Sequence, residues 1–172
     1  MKKSLLVAFV VLQIACAEVE PDHLVDAQTG PVASAEDFRV VAGSGWNGHL
    51  SYLDYSSEAL SQIPVEIQID EPNGRTLGYS IRYPGETQYN SREKIKLSRD
   101  GRKLNGGLII ARKRNDNGDL TLVTTYQGKD DNRRADIRVT YAIGGTAFSI
   151  SKEIRFEGEN DYFLRNQYSL VR

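Results

Sequence analysis

From Trp46 onward, the chain consists of short segments of alternating apolar and polar residues, separated by dipeptides that favour tight turns. Val65, Ile67 and Ile69, for example, alternate with polar residues, as in a strand with one buried face. Hairpin turns tolerate positive φ and connect antiparallel neighbours. The separating dipeptides are Asn73-Gly74, Asp100-Gly101, Asn117-Gly118 and Gly144-Gly145. The pattern therefore predicts an all-β fold in which successive strands are neighbours in the sheet.

A meander of about eight or nine strands has two exposed edges unless its first and last strands pair. Pairing removes both edges, so we expect an up-and-down antiparallel barrel; a two-sheet β-sandwich is the alternative. Before the first strand, Ser34 precedes two acidic residues, which predicts a short N-terminal helix ending near Ala42. Phe38 and Val41 of this helix would close one end of the barrel.

The N-terminal residues have the composition of an export signal. Lys2 and Lys3 precede an apolar run from Leu5 to Ile14 that is too short to span a bilayer. The segment that follows is polar and lacks a sustained period. We therefore expect three parts: a signal peptide (residues 1–17), a flexible tether (18–33) and a β-barrel domain (34–172).

Two processing routes compete at the end of the signal. Ala15-Cys16-Ala17 fits cleavage before Glu18, whereas the five residues ending at Cys16 resemble the lipobox of bacterial lipoproteins, with Gln13 as a departure. In the second case Cys16 would carry lipid and provide the only attachment to a membrane. Cys16 is the sole cysteine, so the domain has no internal disulfide. These features favour a bacterial envelope protein, either periplasmic or secreted, or lipid-anchored.

Composition narrows the function classes. The chain has 22 Lys or Arg and 23 Asp or Glu residues, so it has no basic excess to attract nucleic acid. Its histidines are His23, in the tether, and His49, on the outward side of the first strand. These two residues and one cysteine are a poor basis for a metal or haem site, and we predict no cofactor and no metal. We assign no catalytic residue, and the sequence does not identify a protein partner.

A short helix, a Gly and a Trp at the start of the first strand, and about eight antiparallel strands together resemble the calycin superfamily of lipocalins and fatty-acid-binding proteins. The segment is Gly43-Ser44-Gly45-Trp46, one residue off the strict Gly-x-Trp pattern. In lipocalins this Trp packs against an arginine near the end of the barrel. The resemblance therefore implies that Trp46 and Arg172 close the barrel, and it implies a tendency to bind small molecules.

Several polar residues share the side of their strands that carries the apolar residues, and would therefore face the interior. The ligand-binding candidates are Tyr52, Asp54, Tyr79, Asn166 and Tyr168. Tyrosine hydroxyls among aliphatic walls are typical of a small-molecule pocket, although a filled barrel would show the same pattern. We interpret Gly128 to Arg134 as a polar loop, with Asp130, Asp131 and Asn132 at a solvated hairpin tip.

The leading hypothesis is an exported, non-catalytic protein that binds a small apolar or amphipathic ligand in its lumen. The alternative is a structural or protein-interaction protein of the envelope with a filled barrel. An enzyme that uses Asp54 as acid or base is a third hypothesis, and a raised pKa at Asp54 would support it.

Overall fold

The computed structural model describes residues 30–57 and 59–172. The predicted signal peptide, Cys16, His23 and most of the tether lie outside these residues. The described part contains a 3₁₀ helix (Ala35–Val41), a 3₁₀ turn (Thr87–Tyr89) and ten antiparallel strands. The strands are β1 (Gly43–Asp54), β2 (Ala59–Ile69), β3 (Thr76–Arg82), β4 (Ser91–Lys96), β5 (Lys103–Leu104), β6 (Gly107–Arg114), β7 (Leu120–Asp130), β8 (Arg133–Ile143), β9 (Ala147–Phe156) and β10 (Phe163–Val171).

The strands form one sheet whose order follows the chain around a nearly closed barrel. Its order is β4-β3-β2-β1-β10-β9-β8-β7-β6-β5, so the first and last strands pair, with Gly48 opposite Leu170. At the two ends of this order, β4 and β5 are joined by a single bridge between Leu97 and Leu104. The all-β prediction is confirmed, and the barrel-shaped meander is consistent with a calycin-like fold.

The strand number is a correction to the expected eight or nine. Asn105 and Gly106, with φ of 49° and 87°, form an additional tight turn. This turn separates the two-residue strand β5 from β6, because Lys103 pairs with Leu108 and Leu104 with Gly107. Asn-Gly is a strong hairpin signal. The region therefore contains two strands, of which one is very short.

The larger hydrophobic core lies at the end of the barrel that the 3₁₀ helix covers. Phe38 and Val41 of the helix and Trp46 of β1 are fully buried. The helix is held to the barrel through Asp37, whose carboxylate accepts hydrogen bonds from Arg112 at 2.8 Å and Arg114 at 3.3 Å. These contacts explain how a helix of seven residues keeps its position. Within residues 30–57 and 59–172, no helix has the length and apolar character needed to cross a membrane.

A smaller hydrophobic cluster lies near the opposite end of the strands. Its buried members come from β8 and β9, and they are Ala135, Ile137, Ile154 and Phe156. Tyr55, from the β1–β2 turn, and Phe163, from β10, pack against them. The interior between the two clusters is therefore bounded by apolar packing at both ends.

Candidate ligand-binding site

Asp130 belongs to strand β7, which corrects the predicted polar loop from Gly128 to Arg134. The hairpin that joins β7 to β8 contains only Asp131 and Asn132, with φ of 46° and 59°. Both values are typical of a two-residue hairpin turn, and Asn and Asp tolerate them better than most residues. Because the turn is so short, Asp130 continues the alternation of β7, and its side chain is mostly buried rather than at a solvated tip.

Four residues form a connected group that we call the interior ion cluster: Tyr55, Asp130, Lys152 and Arg165. One carboxylate oxygen of Asp130, Oδ1, accepts a hydrogen bond from Lys152 Nζ at 2.9 Å. The other, Oδ2, accepts bonds from Tyr55 Oη at 2.7 Å and from Arg165 Nε at 3.0 Å. Arg165 also donates from Nη1 to the Leu53 carbonyl at 2.6 Å, and its guanidinium carbon lies 4.4 Å from the centre of the Tyr55 ring.

The cluster has two cations and one anion in a partly buried setting. The side chain of Asp130 is 11% exposed, and those of Lys152 and Arg165 are 25% and 24% exposed. Burial acts to raise the pKa of Asp130, but hydrogen bonds from Lys152 and Tyr55 and the charge of Lys152 together hold this pKa below its usual value. Asp130 is therefore ionised at neutral pH, and the cluster has an excess of one positive charge.

The hydroxyl of Tyr55 serves as a donor in this cluster. Burial, and then the hydrogen bond to Asp130, raise the pKa of Tyr55 to about 12. Tyr55 consequently stays neutral at physiological pH. Lys152 has three N–H donors, and within the described residues Asp130 is the only group that accepts a hydrogen bond from it. The ammonium group can therefore still bind an anionic or carbonyl group.

Lys152 and Arg165 reach the interior for different reasons. Lys152 lies between Ile150 and Ile154 on β9 and shares their side of the strand, so alternation alone could have identified it. Arg165 lies at a register shift between Leu164 and Asn166, where β10 has one residue more than its partner strand. A β-bulge of this kind breaks the alternation and re-aims a side chain. The sequence contains no local signal for the bulge.

The structure brings some of the predicted ligand-binding residues together. Tyr52 of β1 pairs with Asn166 of β10, which in turn pairs with Lys152 of β9. Two positions along β10, Tyr168 is within hydrogen-bond distance of Tyr83, with 3.0 Å between the hydroxyl oxygens. Burial and this hydrogen bond raise the pKa of Tyr168. These residues therefore form a polar strip across three neighbouring strands.

Tyr79 lies farther along the same interior, on β3, where it packs against the larger core. Burial, and then the charge of Glu93, raise the pKa of Tyr79 to about 12. Glu93 is the pairing partner of Tyr79 on β4. The hydroxyl groups of Tyr79 and Tyr168 are therefore neutral donors and acceptors at neutral pH.

Asp54 makes its hydrogen bonds within its own turn. Its carboxylate accepts bonds from Ser56 N at 2.9 Å, from Ser56 Oγ at 2.7 Å and from Ser57 Oγ at 2.9 Å. The hydrogen bond from the Ser56 hydroxyl, and then that from the Ser56 amide, lower the pKa of Asp54. This is the direction opposite to the one that a general acid at neutral pH needs. The arrangement stabilises the β1–β2 turn.

The interior wall between the two hydrophobic clusters is incompletely covered. Leu50, Val139 and Ile150 pack against the larger core but remain half-buried, although each is paired with neighbouring strands on both sides. The sheet is also open where β7 continues past β6, whose pairing ends at Leu108 opposite Thr125. Solvent therefore reaches an aliphatic surface that adjoins tyrosine hydroxyls and the interior ion cluster.

Four of the surface clefts in the described part of the chain have volumes of about 560 to 630 Å³, and none of these four is lined by the predicted ligand-binding residues. Among the same residues, no group of three or more His, Cys, Asp or Glu side chains is arranged to hold a metal ion. The interior strip is the candidate site because the pairing of β1, β10 and β9 brings Tyr52, Asn166 and Lys152 side by side. No protein-family model matches this chain, and no curated protein matches its sequence.

Proposed function

We propose that this barrel is a non-catalytic binding protein for a small, partly apolar ligand with an anionic group. The observation that carries the proposal is the solvent-accessible aliphatic wall next to a cluster with one more cation than anion. Ligand sites are commonly apolar surfaces with a few placed polar groups. An amphipathic anion satisfies both parts of this surface.

In the proposed complex the anionic group accepts hydrogen bonds from Lys152, with Asn166 and Tyr52 close by on the neighbouring strands. The apolar part lies against Leu50 and Ile150. Asp130 needs no hydrogen bond from the ligand, because both of its carboxylate oxygens already accept hydrogen bonds. Its role is to position the ammonium of Lys152 and the guanidinium of Arg165.

The proposal includes an envelope location. It rests on the charged start and apolar run of residues 1–17 and on the two processing routes at Cys16 and Ala17. A calycin-like bacterial protein in this compartment would meet amphipathic molecules shed from the membrane or taken up from outside. Cleavage before Glu18 would leave the barrel soluble, whereas lipid on Cys16 would anchor it.

A second candidate is a structural or protein-interaction role with a filled barrel. Two observations favour it: the interior contains two apolar clusters, and none of the four surface clefts is lined by the predicted ligand-binding residues. In this case the outer surface would carry the function and the interior ion cluster would be structural.

Native mass spectrometry of the mature protein from its own host tests the proposal. We expect a mass excess that disappears on denaturation, and competition for the same site by the amphipathic anion anilinonaphthalene sulfonate. Lys152→Met should weaken binding of this dye, and Lys129→Met, on the outer side of β7, should not. A folded wild-type protein with neither a mass excess nor dye binding would favour the filled barrel. The denatured mass also distinguishes the two processing routes.

A further inference from the structure

We propose that the outer face of β4, β5 and β6 binds the surface of an anionic lipid bilayer. The residues of this basic outer face are Lys94, Lys96, Lys103, Leu108, Ile110 and Lys113. The proposal is independent of ligand binding in the lumen, and it gives the protein a means of membrane contact that needs no lipid on Cys16.

The first argument is the charge of these three strands. β4, β5 and β6 contain three, one and three Lys or Arg residues and a single acid, Glu93. The arginines already have partners: Arg92 pairs with Asp70, whereas Arg112 and Arg114 pair with Asp37. In contrast, none of the four lysines forms an ion pair within residues 30–57 and 59–172.

The alternation of the strands places these lysines on the outer side. Ile95 and Leu97 are buried in the core. The exposed Lys94 and Lys96 alternate with them along β4 and therefore face outward. Leu104 is buried next to the exposed Lys103. Lys113 pairs with Thr121, which lies between the buried Leu120 and Leu122 on β7. Glu93 lies on the opposite side of β4, because it pairs with the inward-facing Tyr79. It therefore does not neutralise the positive charge of the basic outer face.

The second argument is that two aliphatic side chains project from the same face. Leu108 is 44% exposed and is the direct pairing partner of Lys103. Ile110 is 50% exposed and lies at the register shift between Ile109 and Ala111, where β6 has one unpaired residue. Exposed aliphatic residues surrounded by lysines are the composition that binds at a membrane interface.

The form of the face distinguishes a lipid surface from a small anion. Lys94 lines one of the four surface clefts, beside Asp70 and Glu93, whereas Lys96, Lys103, Leu108 and Ile110 line none of the four and are exposed. Lysine provides a point charge and not the two-pronged geometry that arginine offers to a single phosphate. Several lysines spread across a sheet fit the distributed negative charge of a leaflet, and the aliphatic side chains fit its apolar boundary.

The outer face on the other side of the barrel has different chemistry. Ser51, Gln167, Ser151 and Thr140 occupy consecutive positions across β1, β10, β9 and β8. This row carries no charge. The chain has a formal net charge of -1, so the lysines of β4 to β6 are a local concentration and not part of a general basic surface.

Vesicle co-sedimentation tests the proposal, with phosphatidylcholine vesicles compared with vesicles that also contain phosphatidylglycerol. We expect binding only to the anionic vesicles and weakening of this binding by salt. Lys103→Glu should lower the affinity by about 10-fold or more, because each lysine near an anionic surface contributes to binding and the reversal adds repulsion. All variants are compared in the same processed form, so residues 1–29 contribute equally to each.

Two control variants test whether vesicle binding is local to this face. Lys129→Glu makes the same charge change on the outer side of β7 and should leave binding unchanged. Ile110→Ser changes no charge and should also lower the affinity, with folding checked by circular dichroism. Equal losses for Lys103→Glu and Lys129→Glu would overturn the proposal in favour of overall charge. Binding to polyglutamate that exceeds vesicle binding and is insensitive to Ile110→Ser would overturn it in favour of an acidic protein partner.

Discussion

The guanidinium carbon of Arg172 lies 4.4 Å from the centre of the Trp46 ring, over a side chain that is fully buried. The same guanidinium donates hydrogen bonds to the carbonyls of Val40 at 2.7 Å, Ala42 at 2.9 Å and Gly145 at 3.0 Å. Trp46 Nε1 donates to the Val41 carbonyl at 2.8 Å. One arginine therefore connects the end of β10 to the helix, to β1 and to the β8–β9 turn.

Substitution of Arg172 tests this closure. We expect Arg172→Ala to lower the free energy of unfolding by about 2–3 kcal/mol, because it removes the cation–π contact and leaves three carbonyls without their donor. Arg172→Lys keeps the charge but cannot reach all three carbonyls, so it should recover only part of the loss. Urea unfolding measures both. A loss below about 0.5 kcal/mol for Arg172→Ala would show that the contact is energetically neutral.

Gly48 is expected to be intolerant of any side chain. A Cβ atom built on Gly48 would lie 1.8 Å from the Ser169 carbonyl oxygen, across the pairing of β1 with β10. Because backbone cannot move aside as a flexible side chain can, Gly48→Ala should destabilise the barrel by about 3 kcal/mol. Gly85→Ala is the matched control, since nothing lies within 4 Å of a Cβ there. Equal thermal stability of the two variants would contradict the close approach.

Asp130→Asn tests the interior ion cluster. The substitution leaves Lys152 and Arg165 partly buried without a counter-charge. We expect a loss of about 2–3 kcal/mol, somewhat below the cost for fully buried pairs because about a quarter of each cation is exposed. Asp131→Asn, at the exposed turn, changes the same charge and should have almost no effect. If the two variants have equal free energies of unfolding, the interior ion cluster does not stabilise the fold.

The contribution of Asp130 should also depend on pH in a defined direction. Its pKa is lowered in the folded protein, so its stabilisation is present above the unfolded value of about 3.9 and is lost as pH falls through the folded value. The difference in unfolding free energy between wild type and Asp130→Asn should therefore be largest near neutral pH. We expect this difference to shrink progressively in acid. A constant difference across this range would mean that the loss is not electrostatic.

The raised pKa values of the interior tyrosines predict that the folded protein loses stability at alkaline pH. Burial raises the pKa of Tyr79 to about 12, and burial also raises the pKa of Tyr141 and Tyr168. A folded pKa above the unfolded value of about 10 means that stability is complete below pH 10 and decreases as pH rises above it. The buried tyrosines should ionise together with loss of the circular-dichroism signal, and independent ionisation of all tyrosines near pH 10 would contradict their burial.

Much of the interior could be predicted from the alternation of residues. Tyr79, Tyr141 and Tyr168 share the side of their strands that carries the core residues, and each packs in the interior. The resemblance to calycins implies the pairing of Arg172 with Trp46, and closure of the meander brings the end of β10 beside the start of β1. Local patterns suffice here because the strands are long and regular.

The candidate site is harder to predict, because it depends on where one turn begins, on one β-bulge and on a contact between strands that are not neighbours. The sequence predicts a loop at Asp130, since a run of polar residues does not reveal where a two-residue turn begins. Arg165 is directed to Asp130 by a β-bulge. Lys152 interrupts an apolar face, and its partner comes from a strand two positions away in the sheet.

Local sequence patterns were sufficient for the all-β class, the order of the strands and the residues of the main core, because alternation and turn propensity act over a few neighbouring residues. Three features are determined only by the tertiary structure: the interior ion cluster, the bulge at Arg165, and the ion pairing of the β4 and β6 arginines. This ion pairing leaves the four lysines of the basic outer face without acidic partners among the described residues. These features depend on which side chains meet across strands far apart in the chain. Their energies come from burial and charge pairing, which exist only after the sheet has curved into a barrel.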